Sequence, residues 1–546
     1  MKVQRWLLIT AALLPALLGL GRLAAQSAAS PERGPAGPAA SVSGIVVDAA
    51  GPVAGAVVRQ QATAIETTSA ADGTFALGGL SRGVTITLSA WKHTYYCAKV
   101  EGVVPPTAGI TLTLRHYQTN DNPDYEWMPP VGQGPGEESC AHCKPGVTEI
   151  WLENAHAGAG TNPRFFSLYN GTDVSGTTTI EPGYVLDFPG TTGNCATCHA
   201  PGAALDAPFT TDMNQLTGAD TFGVHCDFCH KVADVHLDSA TDLPYENAPG
   251  ALSMEVRRPF PDTERYQLFF GTFDDDNVPE EDTYLPLIEE SRFCAPCHQF
   301  SMWGTPIYQS YREWLESPYP GMGVECQDCH MPSDGQMTNV APGKGGVERD
   351  PATIHAHTQP GAADEDLLRH TVSMTLDARQ VGQLLRVHVI ITNTRAGHHV
   401  PTDFPGRHVI LTVGARDGAD RALVQRGGPT VPGWGGAQAG LPGKAFAKVL
   451  RDVETGEAPV VSYWKQALID SDNRIPAMAA DRSTYTFALP QEYGPVAVRA
   501  ELRFRRAFQA VMDERGWDTP DIVMEEREAA LVARPPRTLY LPLILR

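Results

Sequence analysis

Five short cysteine motifs limit what this chain can fold into. Ten of its eleven cysteines form five pairs, and two residues separate the members of each pair. A histidine directly follows four of the pairs, and a lysine follows the first. The histidine motifs are Cys195, Cys198, His199; Cys226, Cys229, His230; Cys294, Cys297, His298; and Cys326, Cys329, His330, and the lysine motif is Cys140, Cys143, Lys144.

The CxxCH pattern is the attachment motif of haem c. Its two thiols form thioether bonds with the two vinyl groups of the porphyrin, and the next side chain can reach the iron from the same face. Zinc knuckles also use CxxC pairs, but zinc needs no histidine directly after each pair. We therefore predict four covalent haems, with His199, His230, His298 and His330 as the proximal iron ligands.

The first motif leaves three interpretations open: a zinc half-site, a lone disulfide, or a haem whose proximal ligand is the amine of Lys144. The following residues favour the haem, because Pro145 can begin a helix that carries Trp151 and is followed by His156. A primary amine must be neutral to bind iron, and a haem ligated in this way can leave its opposite face open. We predict a fifth haem on Cys140 and Cys143, and Lys144 marks a candidate catalytic position.

Histidines outside the motifs supply candidates for the second axial ligands. The chain has 17 histidines, and only four belong to the motifs. For each of the others, a surface or satisfied core histidine is the alternative to an iron ligand. The leading candidates lie in short stretches bounded by glycine or proline, and they are His156, His236, His355, His357, His398 and His399, with His225 as a further one.

The first 25 residues have the layout of a secretory signal peptide. Lys2 and Arg5 flank the start of an apolar run, and the small residues Ala24 and Ala25 follow it as the expected cleavage site. An uncleaved anchor is the alternative, but the run is shorter than the roughly 20 apolar residues that span a bilayer. We expect an exported protein, either periplasmic or at the cell surface, with no membrane span after cleavage.

Charge narrows the range of partners. The formal net charge of −21 makes nucleic acid an unsuitable partner. A redox protein partner that is attracted electrostatically is expected to present a basic patch. The sequence carries no indication of the oligomeric state.

The length of 546 residues predicts several domains around different cores. Short strand patterns between turn signals predict two β-sandwiches, while a region rich in Pro, Gly and aromatic residues between them predicts a mostly α-helical or irregular domain packed around haems. The predicted divisions are a signal peptide at 1–25, a linker at 26–40, a small N-terminal β-sandwich at 41–115, a multihaem domain at 116–363, a C-terminal β-rich domain with a short helix at 364–534, and an apolar tail at 535–546.

One acidic cluster could hold calcium, since carboxylate oxygens are the ligands that this ion prefers. A solvated loop is the alternative interpretation. The cluster consists of Asp274, Asp275, Asp276, Glu280, Glu281 and Asp282.

The motif region resembles the multihaem cytochrome c superfamily that includes pentahaem ammonia-forming nitrite reductase, octahaem tetrathionate reductase and hydroxylamine oxidoreductase relatives. Besides the five motifs, the resemblance rests on Trp151–Ala157 with Asn162 and Pro163, Tyr311–Trp314, Cys326–Pro332 and Gly397–Thr402. The order of one CxxCK followed by four CxxCH is similar to that of the nitrite reductase, in which the lysine-ligated haem is catalytic. This resemblance implies an active site at Lys144.

The N-terminal region resembles carboxypeptidase regulatory-like, transthyretin-like modules, which serve as binding or spacer domains and carry no catalytic activity. The resemblance rests on Ser43–Asp48, Gly55–Val58 and Asp72–Phe75.

Two functions follow for the whole chain. The first is electron transfer along closely packed haems, and the alternative is a reductase of a small nitrogen or sulfur oxyanion at the Lys144 haem.

Overall fold

The computed structural model describes residues 39–535, except for 133, 135–137, 262–266, 276–277 and 279–281. The predicted signal peptide, nearly all of the linker and almost the whole apolar tail lie outside the described residues. Within the described part of the chain, no helix is long and apolar enough to cross a membrane.

The N-terminal region forms two small sheets packed face to face. One sheet has the order β2-β1-β5, with β8 on the other side of β1, and the second has the order β4-β3-β6-β7. Alternating apolar residues such as Val46, Val58, Leu77, Leu88 and Leu112 fill the space between them. The strands are β1 (Ala39–Asp48), β2 (Gly51–Pro52), β3 (Val57–Gln60), β4 (Glu66–Thr68), β5 (Thr74–Ser81), β6 (Ile86–Trp91), β7 (Ala98–Val103) and β8 (Thr107–Thr113).

The central region consists of short helices joined by long irregular segments. Its α-helices are α1 (Cys140–Cys143), α2 (Pro145–Leu152), α3 (Pro163–Asn170), α4 (Tyr184–Asp187), α5 (Ala196–His199), α6 (Pro201–Ala204), α7 (Cys226–Cys229), α8 (Ala295–His298), α9 (Ser310–Leu315) and α10 (Cys326–His330). Single 3₁₀ turns lie at Met213–Gln215, Gly218–Phe222, Gly250–Ser253, Pro286–Glu289, Ser291–Phe293, Pro320–Met322 and Pro351–Thr353.

The central strands pair only two by two. They are β9 (Val232–Val235), β10 (Leu237–Asp238), β11 (Leu243–Pro244), β12 (Met254–Val256), β13 (Phe269–Gly271), β14 (Asp282–Tyr284), β15 (Phe300–Met302) and β16 (Thr305–Tyr308). Such short elements cannot enclose a continuous protein core, so this region depends on other material to fill its interior.

The C-terminal region is a larger sandwich of a four-stranded sheet, β17-β18-β23-β20, and a five-stranded sheet, β22-β21-β19-β24-β25. Its elements are α11 (Glu365–Thr371), β17 (Val372–Val381), β18 (Leu384–Asn393), β19 (His408–Asp417), β20 (Gln425–Gly427), a 3₁₀ helix (Gly433–Gln438), β21 (Gly443–Asp452), β22 (Ala467–Asp472), β23 (Ala480–Ala488), β24 (Pro495–Arg505), α12 (Gln509–Arg515) and β25 (Ile522–Val532). The predicted fold class is thereby confirmed: β-sheets at both ends enclose a helical and irregular region rich in cysteine.

The acidic segment around Asp275 packs against the N-terminal sandwich. Asp275 is 2.7 Å from the guanidinium of Arg349 and accepts a hydrogen bond from the backbone N–H of Ala62 at 2.6 Å. Asp274 forms an ion pair with Arg59 at 2.9 Å. These two carboxylates therefore serve a domain contact, while Asp276, Glu280 and Glu281 of the predicted calcium cluster lie outside the described residues.

His408 is a buried histidine in the C-terminal sandwich that does not line the central cavity. It stacks on Phe508, with 5.1 Å between the ring centroids, and Arg505 and Asp521 lie nearby. Burial lowers the pKa of His408 from 6.5 to about 4. Below pH 6.5 His408 binds a proton in the unfolded chain, whereas in the folded chain it stays neutral down to about pH 4. The free energy of unfolding therefore decreases as the pH falls from 6.5 to 4.

We predict that His408→Gln flattens the acid dependence of stability between pH 6.5 and pH 4. The pKa difference corresponds to roughly 3 kcal/mol of unfolding free energy at the acidic end. Thermal unfolding of the haem-loaded protein, followed by circular dichroism across this pH range, measures the slope. The exposed His370→Gln is the matched control, and an equally steep slope in His408→Gln would contradict the assignment.

Candidate haem-binding cavity

Each cysteine motif folds as one helical turn. In α1, α5, α7, α8 and α10, the turn brings two cysteines three positions apart to the same side of the backbone. The residue after the second cysteine lies next to that side. The local backbone therefore presents two thiols and a nitrogen ligand in the arrangement that a covalent haem requires.

These turns surround one connected cavity with a volume of about 650 Å³. Cysteines of the second, third and fourth motifs line it together with Lys144. Most other lining side chains are apolar or aromatic, such as Trp151, Phe228 and Phe269. A cavity of this size in place of a packed core fits planar apolar cofactors, which would supply the missing interior.

Thiols of different motifs lie close enough to interact. Cys140 lies within hydrogen-bonding reach of Cys226, Cys198 of Cys297, and Cys294 of Cys326. Cys229 is close enough to both Cys294 and Cys297 to raise the pKa of each thiol. All five motifs therefore form one connected cluster.

Three motif histidines face a second histidine across a gap. The ring centroids are 6.1 Å apart for His230 and His357, 6.2 Å for His298 and His156, and 6.4 Å for His330 and His398. Metal–imidazole bonds of about 2 Å on both faces of an iron place two ring centroids roughly 6 Å apart. The three gaps thus have the spacing of paired axial ligands.

The Nδ1 atoms of five of these six histidines bond to protein oxygens, which leaves Nε2 for a metal, whereas the Nδ1 of His357 has no hydrogen-bond partner among the described residues. The acceptors are Phe270 O for His230 at 2.6 Å, Pro360 O for His330 at 2.8 Å, Gln359 Oε1 for His156 at 2.6 Å, His399 O for His398 at 2.9 Å, and Asp403 Oδ2 for His298 at 3.5 Å. The sequence patterns did not identify Gln359 or Asp403, because both act through histidines that are distant in the chain.

Burial keeps most of these rings in the neutral form that binds iron. It lowers the pKa of His230 to about 3 and the pKa values of His199, His330 and His357 to about 4. His298 differs, because the carboxylate of Asp403 outweighs burial and raises its pKa. Asp403 correspondingly has a lowered pKa, and an acidic partner of this kind increases the electron donation of an axial histidine.

The remaining distal candidates lie in other surroundings. His355 lines the cavity, and its Nδ1 is 2.9 Å from Met331 O. His236 is exposed, and His399 lies 3.7 Å from Glu313. His225 accepts the backbone N–H of Phe228 on Nδ1 and packs against Trp127.

Lys144 is aimed into the cavity from the end of α1. Its Nζ atom is 3.8 Å from Asp282 and 4.6 Å from the centre of the Phe269 ring. Burial raises the pKa of Asp282, although the nearby amine opposes this effect. The lysine of the first motif is therefore held against the same interior as the motif histidines.

Comparison with solved structures finds a match to a penta-heme cytochrome c552 from Thermochromatium tepidum. The two chains are 19% identical, the match has a TM-score of 0.52, and it covers 72% of this chain and 97% of the other. This chain has the fold of a multihaem cytochrome c.

A cohesin–X-dockerin complex from Acetivibrio cellulolyticus covers 21% of this chain and 73% of its own, at 15% identity and a TM-score of 0.13. The ApaA protein from Bordetella pertussis covers 31% and 95%, at 14% identity and a TM-score of 0.14.

Neither of these last two matches bears on the fold of this multihaem cytochrome-like chain, because both scores are low. No protein-family model and no curated protein matches the sequence. The cavity, the thiols and the paired imidazoles described above fit haem c.

We expect His357→Ala to convert one haem from low-spin to high-spin, because the ring opposite His230 is removed. Electron paramagnetic resonance and visible spectra of the oxidised protein measure the change. The exposed His236→Ala serves as the control and should leave both spectra unchanged. Identical spectra for His357→Ala and the wild type would show that His357 is not an axial ligand.

Proposed function

We propose that this protein is an exported c-type cytochrome that carries electrons through five haems. Four would be attached at the CxxCH motifs, and the fifth at Cys140 and Cys143 with Lys144 as its proximal ligand. The observation that supports this proposal most directly is the network of thiol contacts, because it joins every motif to at least one other. Haems attached at such neighbouring motifs would lie close enough to exchange electrons.

The contacts also suggest a route. Cys140 touches Cys226 of the third motif, and the third motif approaches the fourth through Cys229. The fourth motif touches the second through Cys297 and the fifth through Cys294. This arrangement has three ends, the first, second and fifth motifs, and haems held at all five motifs would give electrons a continuous path between any two of them.

Haem supplies the one-electron redox chemistry, while this chain positions and tunes it. Burial holds the axial imidazoles neutral, and the oxygens of Phe270 and Pro360 orient two of them by accepting Nδ1–H bonds. Asp403 places a negative charge beside His298, and this charge would favour the oxidised state of a haem that His298 ligates. These different surroundings would give haems at the five motifs different reduction potentials.

The partner and location follow from charge and from the predicted signal peptide. A formal charge of −21 favours soluble redox partners with a basic surface. Export would place the protein outside the cytoplasm, where haem can be attached to its cysteines and where it can exchange electrons with such partners.

We predict five haems per polypeptide in a pyridine haemochrome assay, with a matching increase in intact mass. The double variant Cys140→Ser, Cys143→Ser should lose one haem, because both thioether bonds at that motif are removed. Cys97→Ser is the control and should retain all five, since Cys97 lies in the N-terminal sandwich. Four haems in the wild type would contradict the assignment at Cys140 and Cys143.

A second candidate function is reduction of a small nitrogen or sulfur oxyanion at the Lys144 haem. The observation that favours it is the position of Lys144 inside the cavity, near Asp282. In the order of its motifs the chain resembles a reductase that uses this position for catalysis.

Steady-state assays with a reduced dye and nitrite, hydroxylamine or tetrathionate test the reductase function. If it is correct, Lys144→His should lower the rate at least about tenfold, because an imidazole changes both the basicity of the ligand and its reach. The haem content must remain five in the variant. A wild-type protein that reduces none of the three substrates would leave electron transfer as the function.

A further inference from the structure

His199 differs from the other three motif histidines because no second imidazole stands opposite it. The described residues include all 17 histidines of the chain, and none of them lies at the 6.1–6.4 Å spacing from His199 that the three pairs show. The ring in contact with His199 is Phe165, which stacks on it with 4.2 Å between centroids.

The side of the cavity that carries His199 is closed by protein. Phe165 of α3 covers the imidazole face, and the backbone carbonyl of Ala159 interacts with the ring and opposes the effect of burial on its pKa. This arrangement is that of a fixed proximal ligand, oriented by a carbonyl oxygen. Any additional ligand to the same iron must come from the other side.

A pair of tyrosines from two other elements lines the cavity near Cys195 and Cys198. Tyr308 ends β16, Tyr463 lies in the loop before β22, and their hydroxyl oxygens are 3.1 Å apart. Burial raises the pKa of Tyr308 to about 12, and burial together with Tyr308 and both cysteines raises the pKa of Tyr463 well above its usual value. Both phenols therefore stay protonated and can donate a hydrogen bond.

The same part of the cavity carries three arginines and only one nearby carboxylate among the described residues, that of Asp403, which interacts with Arg407. Arg164, Arg407 and Arg506 line it, and none of them has a described carboxylate within ion-pair distance of 4 Å. Burial, together with the other two arginines, lowers the pKa of Arg506 to about 10. A small anion, or the propionates of a haem, would neutralise this cluster.

We propose that the haem attached to Cys195 and Cys198 keeps the position opposite His199 open for a small anionic ligand, which the Tyr308–Tyr463 hydroxyl pair and Arg407 receive. The inference rests on the proposed function in that it requires a haem at this motif. It adds an exchangeable ligand site that is separate from the Lys144 motif. The thioether of Met302, which also lines the cavity, is the group that would otherwise fill this position.

Azide binding to the oxidised, fully haem-loaded protein tests the proposal. We expect azide to convert one high-spin haem to low-spin, as measured by electron paramagnetic resonance and visible spectroscopy. Tyr463→Phe should weaken azide binding at least about tenfold, because a hydrogen bond to a charged ligand is lost. Tyr485→Phe is the matched control, since it removes a buried hydroxyl from the C-terminal sandwich, away from the cavity.

Arg407→Gln distinguishes a bound anion from haem propionates as the partner of the arginines. We expect it to weaken azide binding to the oxidised protein about tenfold while leaving carbon monoxide binding to the reduced protein unchanged, since carbon monoxide is neutral. Unchanged azide affinity would assign Arg407 to the propionates and overturn its role as an anion receptor.

Two results would overturn the open position itself. One is an entirely low-spin protein that does not respond to azide, which would show that Met302 or another side chain fills the site. The other is azide binding that neither Tyr463→Phe nor Arg407→Gln alters, which would place the ligand at a different haem. A haemochrome count and the mass of the peptide carrying Cys195 and Cys198 separate these failures from failure of the proposed function, because a missing haem would appear there first.

Discussion

Opposed imidazoles across gaps of 6.1 to 6.4 Å are the constraint on which the central region depends. Gaps of this width match two imidazoles bound on opposite faces of one iron, so a planar group between the rings would complete the interior. The short helices and two-stranded ribbons around them cannot enclose a core by themselves. The cofactor would therefore act as structural interior as well as redox centre, and loss of one haem should loosen the elements on both of its faces.

The C-terminal sandwich extends this dependence, because its loops supply groups to the haem region. His398 faces His330, and Asp403 bonds to His298 from the same loop. A buried ion pair between Glu313 and Arg474 at 2.6 Å holds that loop, since Glu313 also accepts the backbone N–H of His399. The large sandwich core gives this loop a rigid base. Orientation of the axial ligands thus depends on a domain that carries no cysteine motif.

Sequence reasoning predicted the features that are local in the chain. The CxxC turns need only five consecutive residues, and β18 and β19 follow from alternating apolar side chains. A cap is equally local: Asp364 accepts the N–H of Leu367 and begins α11, which contains His370 and ends directly before β17.

Pairing across the cavity could not be predicted, because it joins distant residues. His156 faces His298 across 142 positions, and nothing near either residue specifies the other. His236 and His357 look alike in sequence, since each lies in a short irregular stretch, yet one is exposed and the other faces His230. The acidic cluster was ambiguous for the same reason. Only the tertiary fold brings Arg59 to Asp274 and Arg349 to Asp275. The contact through Arg59 also brings the N-terminal sandwich close to β14, whose first residue, Asp282, lies beside Lys144. The surroundings of the first motif therefore depend on a module that a reading of the motifs alone would treat as a spacer.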